Sequence, residues 1–309
     1  MFIDSNVENK VPKVSIGMPI RNGGDLLKRA LDSIINQTFT DFELIISDNG
    51  STDGSSEILQ NLAKNDSRVK YFYQDPPLIV FDNFEFVLKK ATGEYFMWAA
   101  HDDYRSYDFI EKLANGLDNK KDAILAFCDV NVVTIDDYKG KKINFDFDNE
   151  NLNVVSRVFK ESFILCYHFY ALWRLNDLLK IPFNYCAIWP DKPILLSASI
   201  LGKFIHVEGP IFYYFYMDKG YIYRIQNQDY SKEFNKLKAW IEVEEKIYTA
   251  TNQVGNPFLG AFSAGLFAFK NIRDHSLHIT GLVIKKAFGE RIFQQAKRMK
   301  NKILGITYF

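Results

Sequence analysis

The sequence predicts an α/β fold: a mostly parallel sheet flanked by helices, followed by a helical C-terminal region. Two observations carry this. Between residues 13 and 133, short apolar runs alternate with amphipathic helical runs, and repeated βαβ units place helices on both faces of a parallel sheet. Polar residues also gather where the apolar runs end, which is where such sheets bind ligands.

The elements follow in order. KVSIGMPI reads as a first strand. DLLKRALDSIINQTF sets Leu27, Leu31, Ile34 and Ile35 on one helical face. FELIISD is a second strand, and the turn-rich NGSTDGS follows it. SSEILQNLAKN is a helix and VKYFYQ a strand. NFEFVLKKATG is a helix for which Gly93 supplies the C-terminal stop. EYFMWAA is the next strand, YDFIEKLANGLD a helix and AILAFCDVNVV a strand. Residues 140–160 read as a loop, KPILLSASILG as a helix and KFIHVEG as a strand. From about residue 229 the pattern is helical, which divides the chain into a catalytic-type domain at 1–228 and a helical region at 229–309.

Composition narrows the function. Formal net charge is zero, which argues against a dedicated nucleic-acid binder. The three cysteines are scattered, with no CxxC spacing, so a disulfide framework or zinc site is not expected and a reducing compartment fits. The N-terminus is polar and acidic, unlike a signal peptide. The longest apolar stretch, Pro257 to Phe269, is short of a membrane span. A cytoplasmic location is therefore expected. The abundant aromatics read as a thick core or as a sugar-stacking cleft, and composition favours the core.

Four strand ends converge their polar tips: Arg21 and Asn22, then Asp48 and Asn49, then Asp75, then His101, Asp102 and Asp103. Adjacent carboxylates repel, and a hard divalent cation relieves the repulsion. Mg²⁺ and Mn²⁺ take one or two carboxylates together with substrate phosphates. An Asp-Asp turn reads equally as a solvated cap for the following helix. No G-x-G-x-x-G follows the first strand, and no P-loop, H-E-x-x-H or G-x-S-x-G is present, which excludes the corresponding cofactor and hydrolase sites.

VSIGMPIRN, ALDSIINQTFTDFELIISDNGSTDGS, NFEFVLKKATGEYFMWAAHDD and IWPD, in that order, resemble a family 2 glycosyltransferase over about residues 13 to 215. The resemblance implies a GT-A (Rossmann-like) fold and an inverting enzyme that uses a nucleotide-diphosphate sugar, usually a UDP-sugar. It implies nucleotide contacts from Pro19, Asn22, Asp48, Asp75, Asn83 and His101, with Asp48 accepting from the imide N–H of uracil. The residue before Asn83 is often Arg in the family and is Asp82 here. The family's D-x-D metal motif falls on Ala100, His101 and Asp102. Asp102 is thus the expected direct ligand of Mn²⁺ or Mg²⁺, with Asp103 assisting through water or bracing the loop.

An inverting transfer needs a general base for the acceptor hydroxyl. The resemblance places it at Asp191, with Pro190 where an acid is usual; a plain N-terminal helix carboxylate is the other reading. Trp189, His168 and Arg174 are acceptor-side candidates, with Tyr170, Trp173, Tyr221 and Arg224 behind them. The segment from Lys270 to Phe309 is rich in Lys and Arg, with Asp274 and Glu290 as its acids. It reads as a peripheral contact with anionic membrane or as a basic helix packed on the domain. The expected acceptor is a glycan or lipid-linked glycan in surface polysaccharide synthesis, at the inner face of the cell membrane. The competing class is a silent nucleotide- or carbohydrate-binding module of the same fold, for which Ala100 argues and Asp102 and Asp191 do not.

Overall fold

The computed structural model describes residues 11–143, 149–162, 166–183, 191–216, 245–254 and 257–274. The first strands are β1 (Val14–Ile20), β2 (Phe42–Asp48), β3 (Val69–Tyr73) and β4 (Tyr95–Trp98). They alternate with α1 (Leu27–Ile35), α2 (Ser55–Asn65) and α3 (Val80–Lys89). β5 (Tyr104–Arg105), α4 (Phe109–Asn119), β6 (Ala123–Val133), β7 (Lys141–Ile143), α5 (Val154–Ser162) and β8 (Leu172–Arg174) follow. A short α6 (Leu175–Leu178), then α7 (Lys192–Leu201) and β9 (Lys203–Phe215), complete the sheet region.

Among the described residues these nine strands form one sheet in the order β3-β2-β1-β4-β8-β6-β9-β5, with β7 on β6. The half from β3 to β4 is parallel. The other half is mixed: β8 runs antiparallel between β4 and β6, β9 lies parallel to β6, and β5 closes the edge against β9. The expectation of a mostly parallel sheet therefore describes the first half. β5 and β8, with two and three residues, are too short to show a period of two.

Both faces of the parallel half are covered, so β1 and β2 are buried at every position. Alternation sorts the side chains. Tyr95, Met97 and Ala99 enter one core with Leu27, Ala30, Leu31 and Ile34 of α1 and Ile110 and Leu113 of α4. Phe96 and Trp98 enter the other with Val87 of α3 and Leu195 and Ala198 of α7. Trp98 stacks on Phe169 at 4.2 Å and meets Trp173 edge-on. This aromatic mass is core, as composition favoured.

Three local readings change. Gly93 does not stop α3, which ends at Lys89; a Cβ there would sit 2.9 Å from Ser15 N and 3.0 Å from Lys13 O, so the chain needs glycine to pass β1. The expected loop at 140–160 contains β7 and α5. β9 outruns its predicted length, because Gly209 adopts a φ of +105° and carries the strand on through Pro210 to Phe215. Helices at 245–254 and Pro257–Asp274 lie in the expected helical region. The boundary expected at residue 229 and the basic segment beyond residue 274 lie outside the described residues. No described helix is long and apolar enough to cross a membrane.

Candidate active site

β1 has β2 on one side and β4 on the other, so the chain leaves the sheet in opposite directions there and opens a crevice at the strand ends. β4 stays paired with β1 only as far as Gly17, where Ala99 N donates to Gly17 O. Pro19 lies just beyond. On that side no strand asks it for the N–H it lacks.

Two loops on the floor of the crevice are sewn together. Asn22 takes a left-handed φ of +56°, its N–H donates to Ser51 Oγ and its Oδ1 accepts from Thr52 N. Gly23 N donates to Ser55 Oγ, and Gly24 N to Asp53 Oδ2. Asn49 clamps the next loop by exchanging hydrogen bonds with Leu78 N and Leu78 O. Asp75 is exposed on that loop. Asn83 donates to Ser47 O at 3.1 Å, and its buried Oδ1 has no hydrogen-bond partner.

Asp48, expected at uracil, is tied into the loop that follows it. It is fully buried, Oδ1 accepts from Ser51 N, and Oδ2 accepts from both Ser56 Oγ and Tyr71 OH. Three of roughly four lone-pair sites on the carboxylate are thereby taken. Asp48 organises the turn-rich loop, with one lone-pair site left over.

The acidic loop differs residue by residue. His101 and Asp102 are half-exposed at its tip. Asp103 is buried and Oδ1 accepts from Phe215 N at 2.8 Å, which fastens the loop to the end of β9. Of its two expected roles the structure gives the bracing one. Burial first, and the Asp102 charge second, push the Asp103 carboxyl well above the ordinary range; the Phe215 bond and the guanidinium groups of Arg105 and Arg29 oppose this. Arg29 lies between the rings of Tyr104 and Tyr138, 4.4 Å from each centroid. Arg105 is buried, with Nη2 on Trp98 O and with Nε and Nη1 unpaired.

The donor chemistry fits a hard cation that arrives with its own oxygens. Among the described residues no three His, Cys, Asp or Glu side chains gather into a metal-holding group. Mg²⁺ and Mn²⁺ need only one or two carboxylates when a diphosphate completes the shell, and Asp102 offers one at the loop tip.

Asp191 is the N-cap of α7 and its side chain makes no capping bond; its place at the helix start also fits a plain N-terminal carboxylate favoured by the dipole. The Cys166 thiol favours its ionised form. Burial pushes it up to about 6 against the opposing charge of Lys192. Part of the residue stays open to solvent. Tyr170 joins the two sides: burial first, then the charges of Asp103, Asp102 and Asp191, hold its hydroxyl in the protonated form.

Three acceptor candidates are corrected. His168 is buried, with Nδ1 3.5 Å from Glu161 Oε2 and its ring edge-on to Phe127. Trp173 is fully buried in the aromatic core. Arg174 caps α4: its guanidinium donates to Leu117 O, Lys120 O and Ala123 O. Because it pairs with Tyr95 at the start of β4, it sits at the end of the sheet away from the crevice. Trp189, Tyr221 and Arg224 lie outside the described residues. Sequence reasoning missed Glu161, Cys166 and Lys192 around Asp191, and Arg29 and Arg105 beside Asp103. Only Lys192, adjacent to Asp191, carried any signal, and it reads as an ordinary first-turn lysine.

The comparisons agree with this architecture. The model of Glycosyl transferase family 2 matches residues 15–175. A GalNAc(5)-diNAcBac-PP-undecaprenol beta-1,3-glucosyltransferase of Campylobacter jejuni is 27% identical over 71% of this chain and 67% of its own length. An uncharacterised glycosyltransferase of Haemophilus influenzae is 36% identical over 34% of this chain and 42% of its own. Escherichia coli chondroitin synthase is 29% identical over 67% of this chain, a match spanning only 29% of that protein. Among solved structures, Staphylococcus aureus TarS 1-349 in complex with UDP-GlcNAc superposes with a TM-score of 0.66 at 14% identity, covering 92% of this chain and 81% of that one. A mannosyltransferase of Pyrobaculum calidifontis in complex with GDP-Man and Mn²⁺ gives a TM-score of 0.51 at 14% identity, over 97% and 89%. With the family model covering more than half of the chain, and the GT-A fold shared with these structures, the chain belongs to glycosyl transferase family 2.

Proposed function

We propose that the chain is an inverting, metal-dependent glycosyltransferase that moves a sugar from a UDP-sugar to a glycan or lipid-linked glycan. The observation that carries this is a pair of carboxylates whose charges both act on Tyr170: Asp102 at the acidic tip, and Asp191, whose proton affinity is raised to about 6. Such a group is ionised at neutral pH and is a better proton acceptor than an ordinary aspartate. TarS in complex with UDP-GlcNAc supports a UDP donor, and the Campylobacter glucosyltransferase, by its name, supports a lipid-linked acceptor.

In this reading the sewn loops at 21–24 and 51–55, with Asp75, bound the nucleotide, and Asn83 offers its unpaired oxygen toward it. Asp102 holds Mn²⁺ or Mg²⁺. Bound there, the ion would stabilise charge on the departing diphosphate as a Lewis acid. Asp191 takes the proton from the acceptor hydroxyl as that oxygen attacks the anomeric carbon. The bond to the diphosphate breaks on the opposite face, so the configuration inverts. Tyr170, kept protonated, lies within range of both charges. The basic segment beyond residue 270 would serve docking at an anionic membrane surface.

Calorimetric titration of UDP with and without Mn²⁺, on wild type and Asp102→Ala, tests the donor half. Metal-dependent binding that the substitution removes is expected. Folded wild-type protein that ignores UDP under both conditions would overturn the donor assignment.

A further inference from the structure

Behind Asp191 lies a group of buried charges that the reaction as described does not use. Lys192 is fully buried, and its ammonium donates to Glu161 O at 2.8 Å and to Glu161 Oε1 at 3.3 Å. Glu161 is buried as well, and its other oxygen lies 3.5 Å from His168 Nδ1. α5 and α7 pack along their lengths, and Arg157 of α5 secures the far end of α7 through Ser199 O and Ile200 O. The pair is therefore held by two helices clamped at both ends, and it lies one residue from the carboxylate at the mouth of the crevice.

A buried ion pair is a poor way to gain stability, since hydrophobic residues of similar volume often serve as well or better. Its presence directly behind a reactive carboxylate calls for another account. Lys192 is paired with Glu161 and follows Asp191 in the chain, so its charge reaches both carboxylates. Its charge favours the ionised form of each, and the charge of Glu161 opposes ionisation of Asp191. Despite burial, which acts the other way in both, Glu161 is held below and Lys192 above its ordinary range. Among the described residues, the other titratable groups coupled to Asp191 are Cys166 and Tyr170 of the 3-10 turn Cys166–Tyr170. From β9, His206 is turned to Asp129 at 3.2 Å.

We propose that the Lys192–Glu161 pair is a positioning device for Asp191: Lys192 keeps the carboxylate ionised and aimed at the crevice, and Glu161 limits how far that charge acts. The two residues thus oppose each other, and the balance between them places the proton-accepting power of Asp191 near neutrality. The proposal rests on Asp191 being the base.

Opposition gives a test that a structural role would not pass. Lys192→Met removes the cation and should move the acid limb of the kcat/KM pH profile upward by about one pH unit, the scale of one nearby charge. Activity at pH 5.5 then falls severalfold while activity at pH 8 is kept. Glu161→Gln should move the limb downward. The double variant removes both charges; because Lys192 acts on Asp191 more strongly than Glu161 does, its limb should lie above wild type and below Lys192→Met. If Lys192→Met does not fold, Glu161→Gln and the double variant decide the matter, because the double variant removes both partners of the pair together. Shifts of the same sign, or none, in folded variants would overturn the proposal. A ¹³C titration of the Asp191 carboxyl in the resting protein separates the two claims. Opposite shifts there without matching shifts in rate uphold the device and remove Asp191 as base; no shifts there sink the device, whatever Asp191→Asn does to turnover.

Discussion

The two ends of the sheet both bury carboxylates, and they treat them differently. At the N-terminal end Glu43 is 3% exposed. It accepts from Ser15 Oγ, Thr92 N, Thr92 Oγ1 and Lys70 Nζ. Burial would raise its proton affinity, but those donors outweigh burial and hold it below the ordinary range. At the C-terminal end Asp103 has one backbone donor and a like charge beside it, and Asp191 has a thiol and a shared lysine. Both carboxyls move upward. A buried carboxylate with a full set of donors is a structural tie. One kept short of donors has capacity left over for something that is not part of the chain.

The largest break in this contrast should come from Asp191→Asn. Turnover is expected to fall by about 10² to 10⁴-fold, the usual worth of a general base, with UDP binding by calorimetry unchanged. Asp102→Ala comes next: Mn²⁺-dependent UDP affinity should drop by more than about tenfold, and circular dichroism should stay as in wild type. pH sharpens the comparison. Asp191 works as a base only when ionised, so kcat/KM should decline as pH falls through about 6.

Glu43→Gln should leave kcat alone and lower stability by about 1–3 kcal/mol in a urea melt, because it unsettles buried donors. Since the folded proton affinity of Glu43 is lowered, its contribution is present at neutral pH and is lost as the medium becomes acid enough to protonate the folded form. The wild-type advantage over Glu43→Gln should shrink there. The smallest effect belongs to Arg174→Ala, a loss of about 1 kcal/mol from uncapping α4, with the acceptor KM unmoved. A raised KM would return Arg174 to the acceptor site.

What was legible in the sequence follows from how local its causes are. α2 and β6 have the bounds their patterns predict, because each is set by its own periodicity. The strand tips were found for the same reason: in a parallel sheet the end of an apolar run is a place in space. β5 and β8 were not found, because strands so short exist only through partners distant in the chain. The direction a side chain takes was equally hidden. Asp48 lies at a tip yet turns inward onto Ser56 and Tyr71, and His168 and Arg174 look accessible in sequence while one is core and the other a cap. Glu161 and Lys192 lie 31 residues apart, and nothing local couples them.

One feature of the chain's path has a practical side. Asp191 opens α7, and Phe215, whose N–H braces Asp103, closes β9. The helix runs away from the crevice and the strand returns to it, so base and brace are the two tips of a single caliper spanning residues 191–215. The span of its jaws depends on the turn at Gly202 and on the left-handed φ at Gly209. An added or deleted residue there would alter the gap between proton acceptor and acidic loop without touching either. Moved intact into a related scaffold, the same segment would carry that gap along as a preset dimension.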